Sequence, residues 1–420
     1  MRKVFCAFCG KHEDEVDTII SGQVPEAHIC DSCVERAYEF IRAEHAALAN
    51  NEVGIDITKL RKEDVTPDSL KAYLDQYVVG QENAKRALCV AVYNHYKRLF
   101  ISQASHNADH EVEIEKSNVF LVGPTGVGKT LLASTIAKKL KVPFYSVSMT
   151  QMTQAGYVGE DVESALSGLL QAANGNIEAA QMGVIYMDEA DKMARKGDNP
   201  SLTRDVGGEG VQQALLKIIE GGIVNVAPHG GRKHPDQKLI PIDTTNILFI
   251  FGGAFEGIER IIERRLHMRP LGFNLKRNNL ASLKGEELGT YVSAQDLKAY
   301  GLIPELVGRI PVITYLSSLD KKALLKVLTQ PKKALIRQYK KLMAMEGIKL
   351  RVTNDALEYI VKKALELKVG ARGLRSICET IMQDAMFELP SQKNIKTYTI
   401  NADYAMRKFE RKKRPSLKVA

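Results

Sequence analysis

The chain has 420 residues, of which 45% are hydrophobic and 26% are charged, and this composition excludes a wholly disordered or low-complexity protein. Its 59 lysines and arginines against 50 aspartates and glutamates give a net charge of +9, which permits contact with anions without indicating a nucleic-acid binder. The apolar runs are too short to span a bilayer and the N-terminus lacks the apolar stretch of a secretory signal, so we expect a soluble, cytoplasmic protein.

Four of the six cysteines lie in the first 33 residues, as the CxxC pairs Cys6 with Cys9 and Cys30 with Cys33. Each CxxC turn can direct two thiolates at one tetrahedral ion, and two turns complete a closed four-sulfur shell that favours zinc. Such a site has no open position for catalysis, so the metal is expected to stabilise a module too short for a large core. The alternatives are four unrelated buried cysteines or a redox pair.

The remaining elements are predicted from hydrophobic periodicity. Two helices, at 69–77 and 81–100, precede a region in which short apolar runs alternate with helical segments. This alternation predicts an α/β fold with a parallel sheet covered on both faces. The predicted strands are 119–122, 144–147, 184–187, 247–251 and 312–315, and the helices between them include 130–140, 161–173 and 210–220.

The pattern becomes mainly helical after residue 318. One long helical segment is predicted at 321–345, followed by a short strand at 348–352, further helices and a basic tail. The predicted domains are a zinc-binding domain at 1–50, a linker at 51–65, a large α/β ATPase domain at 66–317 and a small C-terminal domain at 318–420.

A nucleotide site is predicted at residues 123–130, GPTGVGKT, which follow a strand and precede a helix as the P-loop motif requires. The glycines allow backbone N–H groups to surround phosphates, Lys129 would reach the β- and γ-phosphates, and the Thr130 hydroxyl would bind Mg²⁺. The alternative is a chance glycine-rich turn. The candidate ATP-binding residues here are Pro124, Thr125, Gly126, Val127, Gly128, Lys129, Thr130 and Leu131.

Two carboxylates, Asp188 and Glu189, follow the strand at 184–187. The carboxyl ends of parallel strands meet at one edge of a sheet, so both side chains are expected near the P-loop. Asp188 fits the magnesium side of the site, and Glu189 fits the group that polarises the attacking water. Together with the P-loop, these acids predict catalysis of ATP hydrolysis.

With these motifs, the chain closely resembles the AAA+ protein-unfolding ATPases, and within them the ClpX family, over nearly its whole length. The four-cysteine module is a feature of that family. Residues 75–81, DQYVVGQ, resemble its adenine-contacting segment, which implies that Val78 and Val79 bind nucleotide. Arg309 matches the arginine-finger position, which would reach the ATP of a neighbouring subunit, and Arg372 matches the sensor-2 motif of the small domain.

Three further segments resemble loops of the same family. Residues 156–159, GYVG, resemble the first pore loop, and the basic segment at 232–234 resembles the loop at the pore entrance. The tripeptide at 271–273 stands where the family docks to the ClpP peptidase, although the family more often begins it with isoleucine. The implied substrate-contacting residues are Tyr157, Val158, Arg232, Lys233 and His234, and the implied docking residues are Leu271, Gly272 and Phe273. The alternatives are an ordinary turn with a packed tyrosine at Tyr157 and a solvated charged loop at 232–234.

The resemblance implies a homo-hexameric ring that unfolds proteins with ATP, translocates them through its pore and delivers them to a ClpP-type peptidase, with a chaperone role as well. Unfolded or tagged proteins and adaptors are the expected partners, with no membrane and no specific nucleic acid. The chain has no GxSxG or HExxH peptidase motif, so it is not expected to be the peptidase itself. The alternatives are an AAA+ motor or loader acting on nucleic acid, and a binding module that uses nucleotide as a switch. No sensor-1 residue is assigned, because Gly252 and Gly253 follow the strand at 247–251.

Overall fold

The computed structural model describes residues 4–22, 27–37, 66–104, 114–153, 160–195, 208–227, 239–267, 286–367, 369–392 and 394–411. The chain divides into two compact units, Met1–Val53 and Gly54–Ala420. None of the helices among these residues has the length and apolar character to cross a membrane.

The first unit contains an antiparallel pair of short strands, β1 (Ile19–Ser21) and β2 (His28–Cys30). A 3-10 turn over Glu13–Glu15 precedes β1, and residues 31–37 form a helix directly after β2. The buried centre of the described part consists of three cysteines, Cys6, Cys30 and Cys33. A unit with so little apolar core needs another source of stability, such as a bound metal.

The second unit is built on a five-stranded parallel sheet with the order β11-β3-β10-β7-β4. The strands of the unit are β3 (Val119–Val122), β4 (Phe144–Ser148), β5 (Met152–Thr153), β6 (Glu160–Asp161), β7 (Val184–Asp188), β8 (Ile223–Val226), β9 (Ile240–Asp243), β10 (Leu248–Gly253), β11 (Val312–Tyr315), β12 (Lys349–Val352) and β13 (Thr397–Ile400). Outside the large sheet, β5 pairs with β6, β8 with β9, and β12 with β13.

Helices cover both faces of the large sheet and build the C-terminal part of the unit. In chain order they are α1 (Pro67–Asp75), α2 (Glu82–Ala104), α3 (Lys129–Leu140), α4 (Ser164–Ala172), α5 (Ile177–Gln181), α6 (Glu209–Glu220), α7 (Ile258–His267), α8 (Glu286–Gly289), α9 (Ala294–Tyr300), α10 (Pro304–Gly308), α11 (Lys321–Thr329), α12 (Leu335–Met345), α13 (Asn354–Glu366), α14 (Gly370–Glu388) and α15 (Ala402–Arg411). Short 3-10 turns occur at Met149–Gln151, Ala190–Met193 and Leu389–Ser391.

The two faces of the sheet form two separate apolar cores, because successive side chains of a strand point to opposite sides. In β3, Val119 and Leu121 pack with residues of α1, α2 and α3, whereas Phe120 and Val122 pack with residues of α4 and α6. A third core lies among helices α11 to α15. The predicted α/β fold is confirmed, and each predicted strand of the large sheet lies within two residues of its observed bounds.

The prediction of one helical segment over 321–345 is wrong. Helix α11 ends at Thr329 and α12 begins at Leu335, with Pro331 between them. Proline has no N–H to continue the helix and disfavours helical backbone at the residue before it. The predicted strand at 348–352 is confirmed as β12, but its parallel partner β13 and the β8–β9 pair were not predicted.

Candidate functional site

The loop between β3 and α3 adopts a tight conformation that glycine permits. Gly123, Gly126 and Gly128 have φ values of 149°, 80° and 102°. A Cβ atom on Gly123 would lie 2.3 Å from the carbonyl oxygen of Leu316, which directly follows β11. Glycine is therefore required at position 123 by close backbone packing, and the loop leads straight into the N-terminus of α3, where free N–H groups favour anions.

Lys129 points back into this loop. Its Nζ donates to the carbonyl oxygens of Gly123 at 2.5 Å and Pro124 at 2.8 Å, and the residue is 7% exposed. Burial lowers the pKa of Lys129, while the charges of Asp188 and Asp191 act in the opposite direction. The ammonium group is thus held inside the loop, where phosphate oxygens would compete for it with the two carbonyl groups.

The Thr130 hydroxyl and the Asp188 carboxylate lie side by side. Thr130 Oγ1 donates to Asp188 Oδ2 at 3.1 Å, and Asp188 Oδ1 accepts from the Glu189 N–H at 2.9 Å and from the Tyr186 hydroxyl at 3.3 Å. Hydroxyl and carboxylate oxygens are the ligand types that Mg²⁺ prefers, usually one or two from the protein with phosphate and water completing the shell. This pair of residues fits a magnesium ion bound with a nucleotide.

Glu189 sits at the same sheet edge in a left-handed backbone conformation, with φ of 57°. Such a conformation is unfavourable for a residue with a side chain and occurs often at functional sites. Its Oε2 accepts from Ser148 Oγ at 2.7 Å and from Thr150 Oγ1 at 3.2 Å. Sequence reasoning missed these two hydroxyls, although the position of Ser148 at the end of a strand beside β7 was a usable signal.

Helix α14 begins beside the same loop. The backbone nitrogens of Ala371 and Arg372 lie 3.6 and 3.7 Å from the position that a Cβ atom on Gly126 would occupy. The charge of Arg372 is close enough to contribute to the lowered pKa of Lys129, after burial and the opposing acids. The structure therefore brings Arg372 to the P-loop from the C-terminal part of the chain.

The segment at 75–81 lies next to the site and is anchored from several sides. Val78 is buried and Val79 is half-buried. The buried Lys85 donates to the Val78 carbonyl at 2.8 Å and pairs with Asp75 at 2.6 Å. These bonds anchor the segment, and Val78 belongs to the same apolar cluster as Val127 of the P-loop.

The same segment joins the two parts of the second unit. The Gln81 carboxamide donates to the Ser317 carbonyl at 2.7 Å and accepts from the Ser317 N–H at 3.1 Å. The Lys332 N–H donates to the Gln76 carbonyl at 2.8 Å. Sequence reasoning missed these contacts, which connect the adenine-side segment to the chain on both sides of α11.

Arg309 lies at the opposite end of the parallel strands, where they begin. It precedes β11, whose first residue, Val312, pairs with Val119 at the start of β3. The four-residue strand β3 separates this end from the P-loop by about 13 Å. Its guanidinium pairs with Glu220 at 3.1 Å, and both side chains are about half exposed. The structure does not bring Arg309 to the nucleotide site of its own chain.

The end of β10 has no room for a polar sensor side chain. A Cβ atom on Gly252 would lie 1.9 Å from the Tyr186 hydroxyl oxygen, and one on Gly253 would lie 2.5 Å from the Phe255 ring. The buried Asp191 accepts from the Ala254 N–H at 2.9 Å just beyond this strand. The two glycines at this point are therefore explained by packing.

The four N-terminal cysteines form one compact cluster of sulfur atoms. The sulfur atoms of Cys6, Cys9, Cys30 and Cys33 all lie within 4.8 Å of one another, and those of Cys9 and Cys30 are 3.6 Å apart. A zinc ion with bonds near 2.3 Å requires sulfur separations of about 3.8 Å. The donor set and its spacing fit zinc.

Two of these thiols differ strongly in acidity without a metal. Burial raises the pKa of Cys6, but hydrogen bonds with the backbone of Cys9, Cys30 and Phe8 outweigh it and lower the pKa to about 6. Burial and the neighbouring thiols raise the pKa of Cys33 to about 12. Zinc would bind all four as thiolates, so metal binding releases protons at neutral pH.

Several candidates from the sequence lie outside the described residues and stay predictions. They are Tyr157, Val158, Arg232, Lys233, His234, Leu271, Gly272 and Phe273.

Comparisons with known proteins agree with this arrangement. Residues 114–313 match the family model of the AAA domain (Cdc48 subfamily), residues 4–43 match the ClpX C4-type zinc finger, and residues 319–401 match the C-terminal, D2-small domain of ClpB protein. A relative from Bacteroides thetaiotaomicron is 53% identical over 99% of this chain and 98% of its own length. Relatives from Bacteroides fragilis, with 53% identity over 97% of this chain and 95% of the relative, and from Porphyromonas gingivalis, with 52% over 96% and 95%, are similar.

Each of these relatives is named ATP-dependent Clp protease ATP-binding subunit ClpX. The similarity covers the four-cysteine unit, the P-loop sheet and the C-terminal helices together, at a level that establishes common family membership. The chain therefore belongs to the ClpX family of AAA+ ATPases, with ATP, Mg²⁺ and Zn²⁺ as its cofactors.

Proposed function

We propose that this chain unfolds and translocates protein substrates with ATP in a homo-hexameric ring and passes them to a separate ClpP-type peptidase. Family membership supports the unfolding activity, and nothing found favours the alternative of a motor on nucleic acid. The observation that carries the proposal is the division of the candidate residues between the two ends of the parallel strands. The P-loop, Asp188 and Glu189 lie at one end of the strands and Arg309 at the other, which supports a site completed by Arg309 of a second subunit.

Each of these residues has a proposed task in hydrolysis. Lys129 binds the phosphates, and Thr130 and Asp188 hold Mg²⁺, which neutralises the charge of the transferred phosphoryl group when it is bound. Glu189 orients and polarises the attacking water from the position fixed by Ser148 and Thr150. Arg309 of the adjacent subunit stabilises the charge that develops during hydrolysis.

The bound nucleotide is proposed to change the position of the C-terminal part of the chain through direct contacts. Arg372 stands at the N-terminus of α14, beside Gly126. Gln81 is bonded in both directions to Ser317, between β11 and α11. A change in the nucleotide site would therefore shift α11 to α14 relative to the large sheet. The separate apolar core among α11 to α15 supports the proposed division into domains at 66–317 and 318–420.

The remaining tasks rest on family resemblance. Tyr157 and Val158 would grip the substrate in the pore, and Arg232, Lys233 and His234 would attract acidic groups at its entrance. The segment 271–273 would dock the peptidase. The zinc domain, at 1–50 with a linker at 51–65, would recruit substrates and adaptors. A cytoplasmic location stays a prediction, which cell fractionation can test.

The delivery step can be tested with purified protein, ATP and a tagged, stable fluorescent substrate, with and without a ClpP-type peptidase. We expect loss of fluorescence without the peptidase and short peptides only when it is present. Tyr157→Ala should retain ATP hydrolysis and lose substrate unfolding. Peptides formed without the peptidase, or ATP-dependent movement on DNA in its place, would contradict the proposal.

A further inference from the structure

Asn118 is a buried polar residue with no part in the motifs described above. It lies immediately before β3, at the sheet edge far from the P-loop, and is 1% exposed. Its Nδ2 donates to the Arg309 carbonyl at 3.0 Å, and its Oδ1 accepts from the Phe249 N–H at 3.2 Å. Because one partner can only accept and the other can only donate, these two bonds fix the orientation of the carboxamide.

The two bonds tie together both strands that flank β3. Phe249 belongs to β10, and Arg309 precedes β11. A third bond holds the same connection, since the Val312 N–H donates to the Asn118 carbonyl at 3.3 Å. The backbone at Arg309 is therefore fixed to the start of β3 by buried hydrogen bonds, whose loss leaves buried polar groups unpaired.

The guanidinium end of Arg309 is held differently. It pairs with Glu220 at 3.1 Å, but 56% of the Arg309 side chain and 45% of the Glu220 side chain are exposed. Exposed ion pairs of this kind contribute little to stability, so the guanidinium can leave Glu220 at little cost. A fixed backbone and a loosely held guanidinium suit a residue whose side chain must reach across a subunit boundary.

We propose that Asn118 is a positioning residue for ATP hydrolysis in the adjacent subunit. Its carboxamide fixes the backbone position from which the Arg309 side chain reaches that site. This inference rests on the proposed role of Arg309 in trans. At about 3.3 Å per residue of extended strand, Asn118 lies about 16 Å from Gly123, the first residue of its own P-loop. Its effect on its own nucleotide site is therefore expected to be small.

Replacement of Asn118 should therefore lower turnover more than nucleotide binding. Displacement of a reacting group by about 1 Å can cost about 100-fold, and a partial displacement in Asn118→Ala should lower kcat about tenfold with KM for ATP changed less than about twofold. Asn246→Ala is the matched control. Asn246 lies at the same edge of the sheet, but its side chain accepts from Arg98 at 3.3 Å.

Mixed rings separate positioning in trans from a defect in the variant's own site. Full-length Asn118→Ala and Glu189→Gln subunits are co-expressed with different tags and purified through both. The Glu189→Gln subunit cannot hydrolyse ATP but carries a well-positioned Arg309, whereas the Asn118→Ala subunit has the reverse defect. At random mixing the rings should recover roughly a quarter of the wild-type rate, about fivefold above the mean of the two homogeneous rings.

Mixed rings of Arg309→Ala and Glu189→Gln subunits are the reference, and their rate of ATP hydrolysis should recover to the same extent. Recovery with Arg309→Ala but not with Asn118→Ala would overturn the positioning role and leave the finger in trans intact. No recovery with Arg309→Ala would refute the finger in trans, and the role of Asn118 with it. A wild-type kcat in homogeneous Asn118→Ala rings would also overturn the positioning role of Asn118. Asn118→Ser replaces Asn118→Ala if thermal denaturation or ring mass shows that the alanine variant does not assemble.

Discussion

The contact between Gly252 and Tyr186 gives a sharp test of the packing beside the nucleotide site. A Cβ atom on Gly252 would lie 1.9 Å from the Tyr186 hydroxyl oxygen and 2.6 Å from its Cζ, both far below ordinary contact. The Tyr186 ring is fully buried and its hydroxyl donates to Asp188, so it cannot move without disturbing the proposed magnesium ligand. The Gly252→Ala change therefore forces overpacking at the site.

We expect Gly252→Ala to destabilise the second unit by about 1–3 kcal/mol, the usual cost of overpacking in a well-packed core. For a unit that spans Gly54–Ala420, that corresponds to a fall in melting temperature of roughly 1–4 °C. The Gly308→Ala variant is the matched control, because a Cβ atom there would have nothing within 4 Å. Thermal denaturation of both variants, followed by circular dichroism, measures the difference.

A second substitution tests whether the hydroxyl is the cause. Tyr186→Phe alone removes one hydrogen bond and should cost about 1 kcal/mol. In Gly252→Ala/Tyr186→Phe the 1.9 Å contact is gone and the 2.6 Å contact to Cζ remains, so the double variant should be more stable than the sum of the single effects predicts. Additive effects, or a Gly252→Ala protein as stable as Gly308→Ala, would refute the steric explanation.

Three other predictions concern pH, zinc and magnesium. Burial lowers the pKa of His95 to about 3, helped by Arg98 and Lys116, so below pH 6.5 the unfolded chain binds a proton that the folded chain does not. The contribution of His95 to the free energy of unfolding is complete above pH 6.5 and falls at lower pH by up to about 1.4 kcal/mol per pH unit. Denaturant midpoints at pH 7 and pH 5 should therefore differ less in His95→Gln than in the wild type. A difference equal to that of the wild type would contradict this expectation. Cys33→Ser should lose most of the one zinc ion expected per chain while Cys89→Ser keeps it, as metal analysis can show, and zinc retained in Cys33→Ser would refute the four-sulfur site. Thr130→Ala should raise the Mg²⁺ concentration for half-maximal ATP hydrolysis at least about tenfold, since its hydroxyl lies 3.1 Å from Asp188, and an unchanged Mg²⁺ dependence would argue against this ligand.

Much of the fold could be predicted because its signals are local. Continuous apolar runs such as 119–122 identify buried parallel strands, and the P-loop and the acids at 188 and 189 each follow such a strand. Even the error at 321–345 has a local cause, since Pro331 interrupts an otherwise continuous helical pattern. Motif and periodicity together therefore determine the sheet and the edge at which the nucleotide site forms.

The supporting contacts could not be predicted, because they join residues that are distant in sequence. Asn118 and Arg309 are 191 residues apart, and Gln81 and Ser317 are 236 apart. Glu189 accepts from the hydroxyls of Ser148 and Thr150, which lie 41 and 39 residues earlier. No spacing rule encodes such pairs; they follow from the strand order, which becomes visible only when the sheet is assembled.

The central claim is that ATP hydrolysis at this site drives protein unfolding, and one measurement tests it most directly. Native fluorescence of a tagged, stable protein is followed after addition of ATP with wild-type rings or with Glu189→Gln rings, without any peptidase. We predict loss of fluorescence with wild type only, while both proteins bind ATP equally. Unfolding by the Glu189→Gln rings, or intact fluorescence while wild-type rings hydrolyse ATP, would contradict the claim.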